Sequence, residues 1–262
     1  MKILLAGPWL GEFGWELMKW QAHIRKVVSQ NKYDMVVCIV RTGHQFLYLD
    51  FADEFVFVDK EGARNGWRLN EDKPTISSDI LDKYDGNDID KIEPFAVEFE
   101  DQEFVKYEMD SIYDYDLLFH CRSTAKLNTQ SRNWPIERWE ALRDRFEGLK
   151  IACVGSESES VAIEGVEDIR GCGLSKLAAV CNNAKMIIGP SSGPMHFASL
   201  CGCPHVVFTD RERRFYTKTN RYRYEQGWNP FGTKAIVVDN EGWQPSVETV
   251  IKAIEIGLGN VE

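Results

Sequence analysis

One stretch of the sequence, residues 187–200, constrains the fold more than any other. An apolar run ends at Gly189-Pro190, a turn of small residues follows, and Pro194 opens a short apolar segment that Gly202 ends. Proline near the start of a helix and glycine just past its end are the usual signs of helix boundaries. The pattern therefore predicts a buried strand, a tight turn and a helix over residues 195–200.

A strand followed by a tight turn and a helix N-terminus can bind an anion. The first N–H groups of a helix have no intrahelical partner, and the positive end of the helix dipole points at the same turn. Here the turn is Ser191-Ser192-Gly193, and Met195 and His196 follow it. An ordinary strand-to-helix turn has the same local pattern, so the neighbouring motifs must decide between the two interpretations.

Strands and helices alternate along the chain as a parallel sheet requires. A polar stretch at 60–95 predicts a long surface insertion or an acceptor loop, and 96–113 a connection. The pattern restarts at Asp116, and the second half predicts a larger doubly wound α/β unit. The predicted strands are 2–6, 35–40, 54–58, 117–121, 150–154, 167–170, 185–188, 204–209 and 234–238, and the main helices are 15–28, 45–51, 136–146, 174–182 and 245–258.

Composition excludes several classes of protein. A net charge of −10 over 262 residues argues against a general nucleic-acid binder. The seven cysteines form no disulfide or C-x-x-C pattern, so we expect reduced thiols and a cytoplasmic protein. The sequence has no run of 18 apolar residues, which predicts no transmembrane segment and leaves peripheral membrane contact possible.

Three patterns resemble metal sites without matching them. Cys201-Gly-Cys203 fits no zinc template, and the acidic run 82–90 lacks the spacing of an EF-hand loop. Asp114-Tyr-Asp116 spells the D-x-D of metal-dependent transferases, but it precedes a predicted strand instead of following one. We therefore predict no metal site.

Ligands of open α/β sheets bind at the carboxyl ends of the strands. That rule selects four loops, at 7–16, 121–135, 155–160 and 189–196. An ordered set of motifs runs through the last three of them. The set is Arg132-Asn-Trp-Pro135 with Trp139, Val154-Gly-Ser156 with Glu159, Gly171 with Leu174, Gly189-x-x-Ser192-Gly-Pro-Met-His196-x-Ala198, and Gly202-x-Pro204.

This set resembles the heptosyltransferases of bacterial lipopolysaccharide assembly, glycosyltransferase family 9, over roughly residues 116–208. The resemblance implies a GT-B fold, with two Rossmann-like domains facing each other across a cleft, and an inverting, metal-independent transfer. We place the domains at 1–113, a reduced acceptor-side domain, and 114–262, the domain that binds the nucleotide-sugar.

The resemblance also implies roles for single residues. Glu12 falls where the family has the carboxylate proposed as general base, and Arg132 where it has a cation for the donor phosphates. Glu159 matches an acidic residue beside the ribose. Ser191 stands where the family generally has Asp, so the resemblance leaves the donor sugar open. The predicted donor-binding residues are Arg122, Arg132, Gly155, Ser156, Glu159, Ser191, Ser192, Gly193, Met195 and His196.

Each role has a structural alternative. Glu12 also fits a charge at the start of a helix, and Glu16 is a competing carboxylate one turn further on. His196 also fits a packing residue, and Glu159 a solvated acid. The basic and aromatic segment 211–228 fits donor or acceptor binding or a solvated loop.

The sequence therefore predicts a glycosyltransferase that moves a sugar from a nucleoside-diphosphate-sugar to a glycan, a lipid-linked acceptor or another hydroxyl. It predicts no cofactor beyond the donor and no nucleic-acid partner. The alternatives are a GT-B-like nucleotide-sugar epimerase and a non-catalytic module that binds a nucleotide-sugar or glycan.

Overall fold

The chain divides into two compact units, Met1–Phe104 (unit 1) and Val105–Glu262 (unit 2). Each is built on its own parallel sheet. The predicted domain boundary after residue 113 and the predicted cleft between the domains stay predictions. A computed structural model of the protein describes residues 1–58, 75–94, 101–110, 112–125, 127–215 and 217–259.

Unit 1 contains a four-stranded sheet made of β1 (Lys2–Ala6), β2 (Met35–Val40), β3 (Glu54–Phe57) and β4 (Asp88–Ile92). The spatial order is β3-β2-β1-β4, and every neighbouring pair is parallel. The two central strands are nearly all apolar and buried, as expected for strands covered on both faces. The first three strands confirm the predictions from the sequence.

The helix predicted after β1 is present and contains a π-helical turn. Phe13–Trp15 and Gln21–Gln30 are α-helical, and the π-helical segment Glu16–Trp20 joins them; together they form helix α1. The predicted helix at 45–51 is a short 3₁₀ turn, Gln45–Tyr48. π-helical turns inside helices occur often at functional sites, and the side chain of Glu16 is described below for that reason.

The prediction of a polar insertion or acceptor loop at 60–95 is wrong for residues 75–94. A short helix α2 (Ser78–Asp82) leads into β4, which pairs in parallel with β1. Three of the five residues of this edge strand are charged, and Ile89 packs against the unit 1 core. The rest of the prediction, at 59–74, lies outside the described residues.

The predicted connection at 96–113 is only partly described, because 95–100 and 111 lie outside the described residues. Its later part packs on unit 2. The Tyr107 N–H donates to the Leu200 carbonyl at 3.1 Å, and the Tyr107 ring lies 5.6 Å from that of Phe197.

Unit 2 contains a six-stranded parallel sheet in the spatial order β12-β9-β8-β5-β6-β7. The chain runs outward from β5 to β7 on one side and from β8 to β12 on the other, as in a doubly wound sheet. The strands are β5 (Leu117–Phe119), β6 (Ile151–Cys153), β7 (Glu167–Asp168), β8 (Met186–Pro190), β9 (His205–Phe208) and β12 (Ala235–Val238), and a small antiparallel pair is formed by β10 (Arg214–Phe215) and β11 (Lys218–Thr219).

The helices of unit 2 pack on this sheet around a core that includes Trp134, Trp139 and Phe208. All four predicted helices are confirmed. Segment 211–228, by contrast, contains a helix that was not predicted. The helices are α3 (Ile136–Arg145), α4 (Gly173–Asn183), α5 (Gly193–Cys201), α6 (Asn220–Tyr222, continued by the π-helical Arg223–Gly227) and α7 (Val247–Leu258).

Within the described residues, none of the helices combines the length and the apolar character needed to cross a membrane.

Gly7, directly after β1, tests the packing of the unit 1 sheet. Its φ is +129°, and a Cβ there would lie 2.9 Å from the Cβ of Ile39 and would also clash with the Ile39 carbonyl. We expect Gly7→Ala to lower the free energy of unfolding by about 3 kcal/mol or more, from strain and overlap together. Chemical denaturation would measure the change.

Gly86 is the matched control, because its φ is +77° but a Cβ would meet nothing within 4 Å. Gly86→Ala should cost only the backbone strain, about 1–2 kcal/mol. Equal losses in the two variants would contradict the clash at Gly7.

Candidate functional site

The carboxyl ends of β5 and β8 form the switch point of the unit 2 sheet. The two strands are neighbours, and the chain leaves them in opposite directions across the sheet. In open α/β sheets the crevice at such a point is where ligands bind. Loops 121–135 and 189–196, both selected from the sequence, therefore meet at this crevice.

The turn after β8 presents backbone donors to that crevice. Ser192 is extended, with φ −164°, and α5 begins at Gly193 and ends at Gly202 with φ +77°. The Gly193 and Met195 N–H groups lie in the first turn, where N–H groups lack intrahelical partners. The nine residues of α5 add the positive end of their dipole. The predicted strand, turn and helix are thus confirmed.

A buried tyrosine, not singled out from the sequence, holds this turn. The Tyr224 hydroxyl accepts the Ser192 N–H at 3.2 Å and lies 3.2 Å from Ser191 Oγ and 3.3 Å from His196 Nε2. Its ring stacks on the His196 imidazole at 4.4 Å. Tyr224 belongs to the basic and aromatic segment, whose composition alone did not distinguish it from its neighbours.

Two arginines place positive charge beside the turn. Arg132 Nη1 lies 3.4 Å from the Ser191 carbonyl oxygen, and its guanidinium stacks on the Trp243 ring at 4.6 Å. Arg223 stacks on Trp228 at 3.9 Å. The structure thus brings Arg132 to the turn as predicted, and Arg223 joins it from α6.

His196 is kept neutral in this positive surrounding. Burial, then Arg223, His205 and Arg132, hold its pKa well below the ordinary value. Tyr224 covers one face of the imidazole, and Trp228 packs edge-on against it at 4.7 Å. His196 therefore lies at the site but is only 4% exposed, and its ring supports the turn.

A second histidine, His120, was missed from the sequence although it directly follows β5. It packs between two glycines: a Cβ at Gly155 would lie 2.8 Å from His120 Nδ1, and one at Gly189 2.9 Å from His120 Cβ. Its Nε2 is buried without a hydrogen-bond partner in the described part of the chain. The rule that ligands bind where strands end selects this position too.

The remaining predicted residues lie on the loops after β5 and β6. Arg122 pairs with Ser160 in an isolated antiparallel bridge, and its Nη1 donates to Asn133 Oδ1 at 2.7 Å. The Gly155 φ of +123° turns the chain toward the exposed Ser156, and the Glu159 carbonyl accepts the Ser123 N–H at 2.8 Å. The predicted residues therefore form two groups. Arg132 lies at the turn after β8, and Arg122 lies where the loops after β5 and β6 are hydrogen-bonded to each other. His120 contacts both groups, through Gly189 and Gly155.

The D-x-D pattern lies at the opposite end of β5. Asp116 accepts the Lys150 N–H at 2.7 Å and pairs with Lys185 at 2.6 Å, and Asp114 pairs with Lys150. Both carboxylates are therefore paired with lysines in structural ion pairs.

In unit 1, Glu12 lies on the loop after β1, beside the switch point that β1 forms with β4. It is the exposed N-cap residue of α1, and its side chain makes no capping hydrogen bond. Its carbonyl accepts the Trp9 Nε1–H at 3.3 Å. The Glu12 carboxylate is therefore accessible.

The competing carboxylate, Glu16, is fully buried. It receives hydrogen bonds from Arg41 Nη2 at 2.7 Å, His44 Nδ1 at 2.7 Å and the Tyr48 hydroxyl at 2.9 Å. Burial alone would raise its pKa, but His44 and then Arg41 outweigh burial and hold the pKa below its ordinary value. Glu16 is thus an ionised anchor of a cluster that was not predicted from the sequence.

Comparisons with family models and with curated proteins gave no match. Solved structures do match along the whole chain. The Veillonella parvula glycosyl transferase of family 9 has a TM-score of 0.58 at 16% identity, covering 99% of this chain and 97% of that one. E. coli ADP-heptose lipopolysaccharide heptosyltransferase II has 0.58 at 14%, covering 99% of each. E. coli heptosyltransferase WaaC with ADP has 0.58 at 13%, covering 98% of this chain and 100% of that one.

The fold is that of family 9 glycosyltransferases. The resemblance predicted from the motifs is confirmed at the level of the fold. The parallel sheets and the alternating helices of both units agree with this α/β fold.

Unit 2 buries neutral histidines, His120 and His205 among them, which predicts a pH dependence of stability. Burial lowers the pKa of both His120 and His205 from 6.5 to about 4. Between these values the unfolded chain binds protons that the folded chain does not, so the free energy of unfolding falls as pH drops from 6.5 to 4. One histidine contributes a slope of at most about 1.4 kcal/mol per pH unit.

His205→Gln should flatten this slope between pH 4.5 and 6 by about 1 kcal/mol per pH unit. Urea unfolding at several pH values would show it. The pH dependence of the free energy of unfolding is compared, and not its absolute value, because a loss of stability caused by the substitution itself lowers that free energy equally at every pH. Parallel curves for the two proteins would contradict a neutral, buried His205.

Proposed function

We propose that this protein is a glycosyltransferase that moves a sugar from a nucleoside-diphosphate-sugar to a glycan or other hydroxyl acceptor. One observation carries the proposal: Arg132 lies 3.4 Å from the Ser191 carbonyl, beside the helix N-terminus at the unit 2 switch point. This arrangement suits a diphosphate. The family 9 fold supports the same conclusion, because two of the matched E. coli proteins are named as heptosyltransferases.

The chemistry of transfer explains why a site of this kind is needed. When the bond from the sugar to the diphosphate breaks, negative charge grows on the leaving diphosphate. The Gly193 and Met195 N–H groups and the Arg132 guanidinium stabilise that charge, and they are already in position. Arg122, Gly155, Ser156 and Glu159 hold the nucleoside end of the donor.

We propose that the transfer is inverting and uses neither a metal ion nor a further cofactor. In an inverting transfer the acceptor oxygen attacks directly and needs a general base, which contributes on the order of 10²–10⁴ in rate. The sequence pattern assigns this role to Glu12, and its exposed carboxylate at the carboxyl edge of the unit 1 sheet is compatible with it. The role of Glu12 stays a prediction.

The epimerase alternative has weaker support, since the three matched structures named above are glycosyltransferases. The non-catalytic module is favoured by one specific observation. Ser191 replaces the family Asp, and its hydroxyl lies 3.2 Å from that of Tyr224, so this position contributes no charge toward a donor sugar. A binding module and a transferase both predict nucleotide binding, and turnover separates them.

A thermal-shift panel with ADP, GDP, UDP, CDP and dTDP, with and without Mg²⁺, tests the proposed site. A nucleotide present at 100 times its Kd should stabilise the protein by about 2.7 kcal/mol, a rise in Tm of a few degrees. We expect one nucleotide to give this shift equally with and without Mg²⁺. No shift with any of the five would contradict a nucleoside-diphosphate site in unit 2.

Arg132→Ala should weaken binding of the nucleotide found in that panel by about 1.5–3 kcal/mol, the worth of a hydrogen bond to a charged group. Isothermal titration calorimetry would give the two Kd values. Arg143→Ala is the control, because Arg143 lies on α3 and pairs with Asp144, away from the turn. An unchanged Kd for Arg132→Ala would remove this residue from the site.

A further inference from the structure

His120, in unit 2, contains a hydrogen-bond acceptor that the proposed function has not used. The residue directly follows β5, and its N–H donates to the Ile188 carbonyl of β8 at 2.8 Å. His120 is only 3% exposed, and its Nε2 makes no hydrogen bond among the described residues. Most buried polar atoms in proteins have a partner, so this nitrogen requires an explanation.

The contact of the other ring nitrogen decides what Nε2 can do. His120 Nδ1 lies 3.3 Å from the Val154 carbonyl oxygen, and a carbonyl only accepts, so this contact requires a hydrogen on Nδ1. Burial lowers the pKa of His120 to about 4, so the ring carries no second hydrogen at neutral pH. Nε2 therefore holds a lone pair. It can accept a hydrogen bond from an O–H or N–H group, but it cannot bind a phosphate oxygen, which is also an acceptor.

The neighbours of the ring place this acceptor on the nucleoside side of the crevice. A Cβ at Gly189 would meet His120 Cβ, whereas a Cβ at Gly155 would meet Nδ1 and Cε1 of the imidazole, at 2.8 and 3.1 Å. The ring therefore extends from the turn after β8 toward the loop after β6. Arg122 lowers the pKa of His120 and Glu159 raises it, so both side chains act on the same ring. Three of these four neighbours are residues that we propose to hold the nucleoside.

A second buried histidine shows why the position of His120 matters. His205 Nδ1 lies 3.0 Å from the Cys203 carbonyl oxygen, and its Nε2 is also buried without a partner in the described part of the chain. His205 is, however, the first residue of β9 and pairs with Ile187, toward the amino end of the sheet. An unpartnered nitrogen is therefore no sign of a ligand by itself. Of the two histidines, only His120 combines one with a place at the switch-point crevice.

The chemistry of a nucleotide decides which of its groups suits this acceptor. The diphosphate offers only acceptor oxygens at neutral pH, whereas the adjoining ribose carries two hydroxyl donors, at its 2′ and 3′ positions. The sequence pattern assigns the Glu159 carboxylate to the ribose as well. The site then has two acceptors for two hydroxyls, and His120 takes one of them without adding charge.

We propose that His120 Nε2 accepts a hydrogen bond from a ribose hydroxyl of the donor, so that unit 2 prefers a ribonucleotide to the analogue that lacks this hydroxyl. The inference rests on the proposed function, which supplies the nucleotide. Three observations support it: the tautomer fixed by Val154, the place at the crevice, and the contact with Gly155 on the loop after β6.

The test measures the Kd of the nucleotide found in the thermal-shift panel and of its 2′-deoxy and 3′-deoxy forms, by isothermal titration calorimetry. In the unmodified protein, loss of the hydroxyl bound by His120 should weaken binding about three- to tenfold, the worth of one neutral hydrogen bond. In His120→Asn the amide nitrogen takes the place of Nδ1, and no atom takes the place of Nε2. We expect this variant to bind that deoxy form and the parent nucleotide equally, within about twofold.

Two further variants separate a hydrogen bond from a change in packing. His120→Gln brings its Oε1 acceptor to the place of Nε2 and should keep the preference for the hydroxyl. His205→Asn is the matched control, because His205 is equally buried and has the same tautomer but lies toward the amino end of the sheet. It should keep the preference too. A variant that only loosens the fold weakens binding of all three nucleotides alike, so the ratio of their Kd values does not change.

A measurement on the unmodified protein covers the case in which His120→Asn does not fold. ¹⁵N NMR detects the side-chain nitrogens of the histidines, and the His120 signals are assigned by their absence from His120→Gln. The Nε2 signal should move when the parent nucleotide binds and should move less with the deoxy form that binds more weakly. An Nε2 signal that responds equally to the parent nucleotide and to both deoxy forms would contradict the hydrogen bond.

The outcomes separate this inference from the proposed function. Loss of the preference in His120→Asn, with the preference kept in His205→Asn, supports the inference. Equal affinity of the unmodified protein for the nucleotide and both deoxy forms overturns the inference alone, and so does an unchanged preference in His120→Asn. If the unmodified protein binds none of the nucleotides, the proposed function fails, and the inference fails with it.

Discussion

The pairing of β5 with β8 is the constraint on which the unit 2 site depends. Because the two strands are neighbours and parallel, their carboxyl ends open into one crevice. His120 fills the space between the loops, and it fits only because Gly155 and Gly189 have no Cβ. The turn after β8 can then approach Arg132, which lies 59 residues earlier in the chain. The anion site is therefore a consequence of the strand order: the loop after β8 supplies the backbone N–H groups, and the loop after β5 supplies Arg132.

The site also shows how an acidic protein concentrates positive potential. The chain carries a net charge of −10, yet Arg132 and Arg223 stack on tryptophan rings beside the α5 N-terminus. The histidines nearby add no charge, since burial and these arginines keep His196 neutral. Stacking on an aromatic ring leaves the edge of a guanidinium available for hydrogen bonds. The positive field thus comes from arginines and backbone N–H groups, while the imidazoles provide packing.

Unit 1 uses burial in the opposite way, to hold a charge. Glu16 stays ionised in the interior because Arg41, His44 and Tyr48 all donate to it. A buried carboxylate without such partners would become protonated or would destabilise the fold. The cluster joins α1 to the residues after β2 through three hydrogen bonds to one carboxylate.

The sequence by itself determined the elements and most of the loops that matter. Apolar runs predicted nine strands, and the 187–200 pattern predicted the turn and α5, because these signals are local. It did not predict β4, since an edge strand needs few apolar side chains to pack. Nor did it select Tyr224, His120 or His44, whose importance comes from partners distant in the chain: Ser191 and Ser192 for Tyr224, Gly155 and Gly189 for His120, and Glu16 for His44. Only the tertiary structure decided that Glu12 is exposed and Glu16 buried, because a π-helical turn and contacts from the residues after β2 set which carboxylate faces the interior.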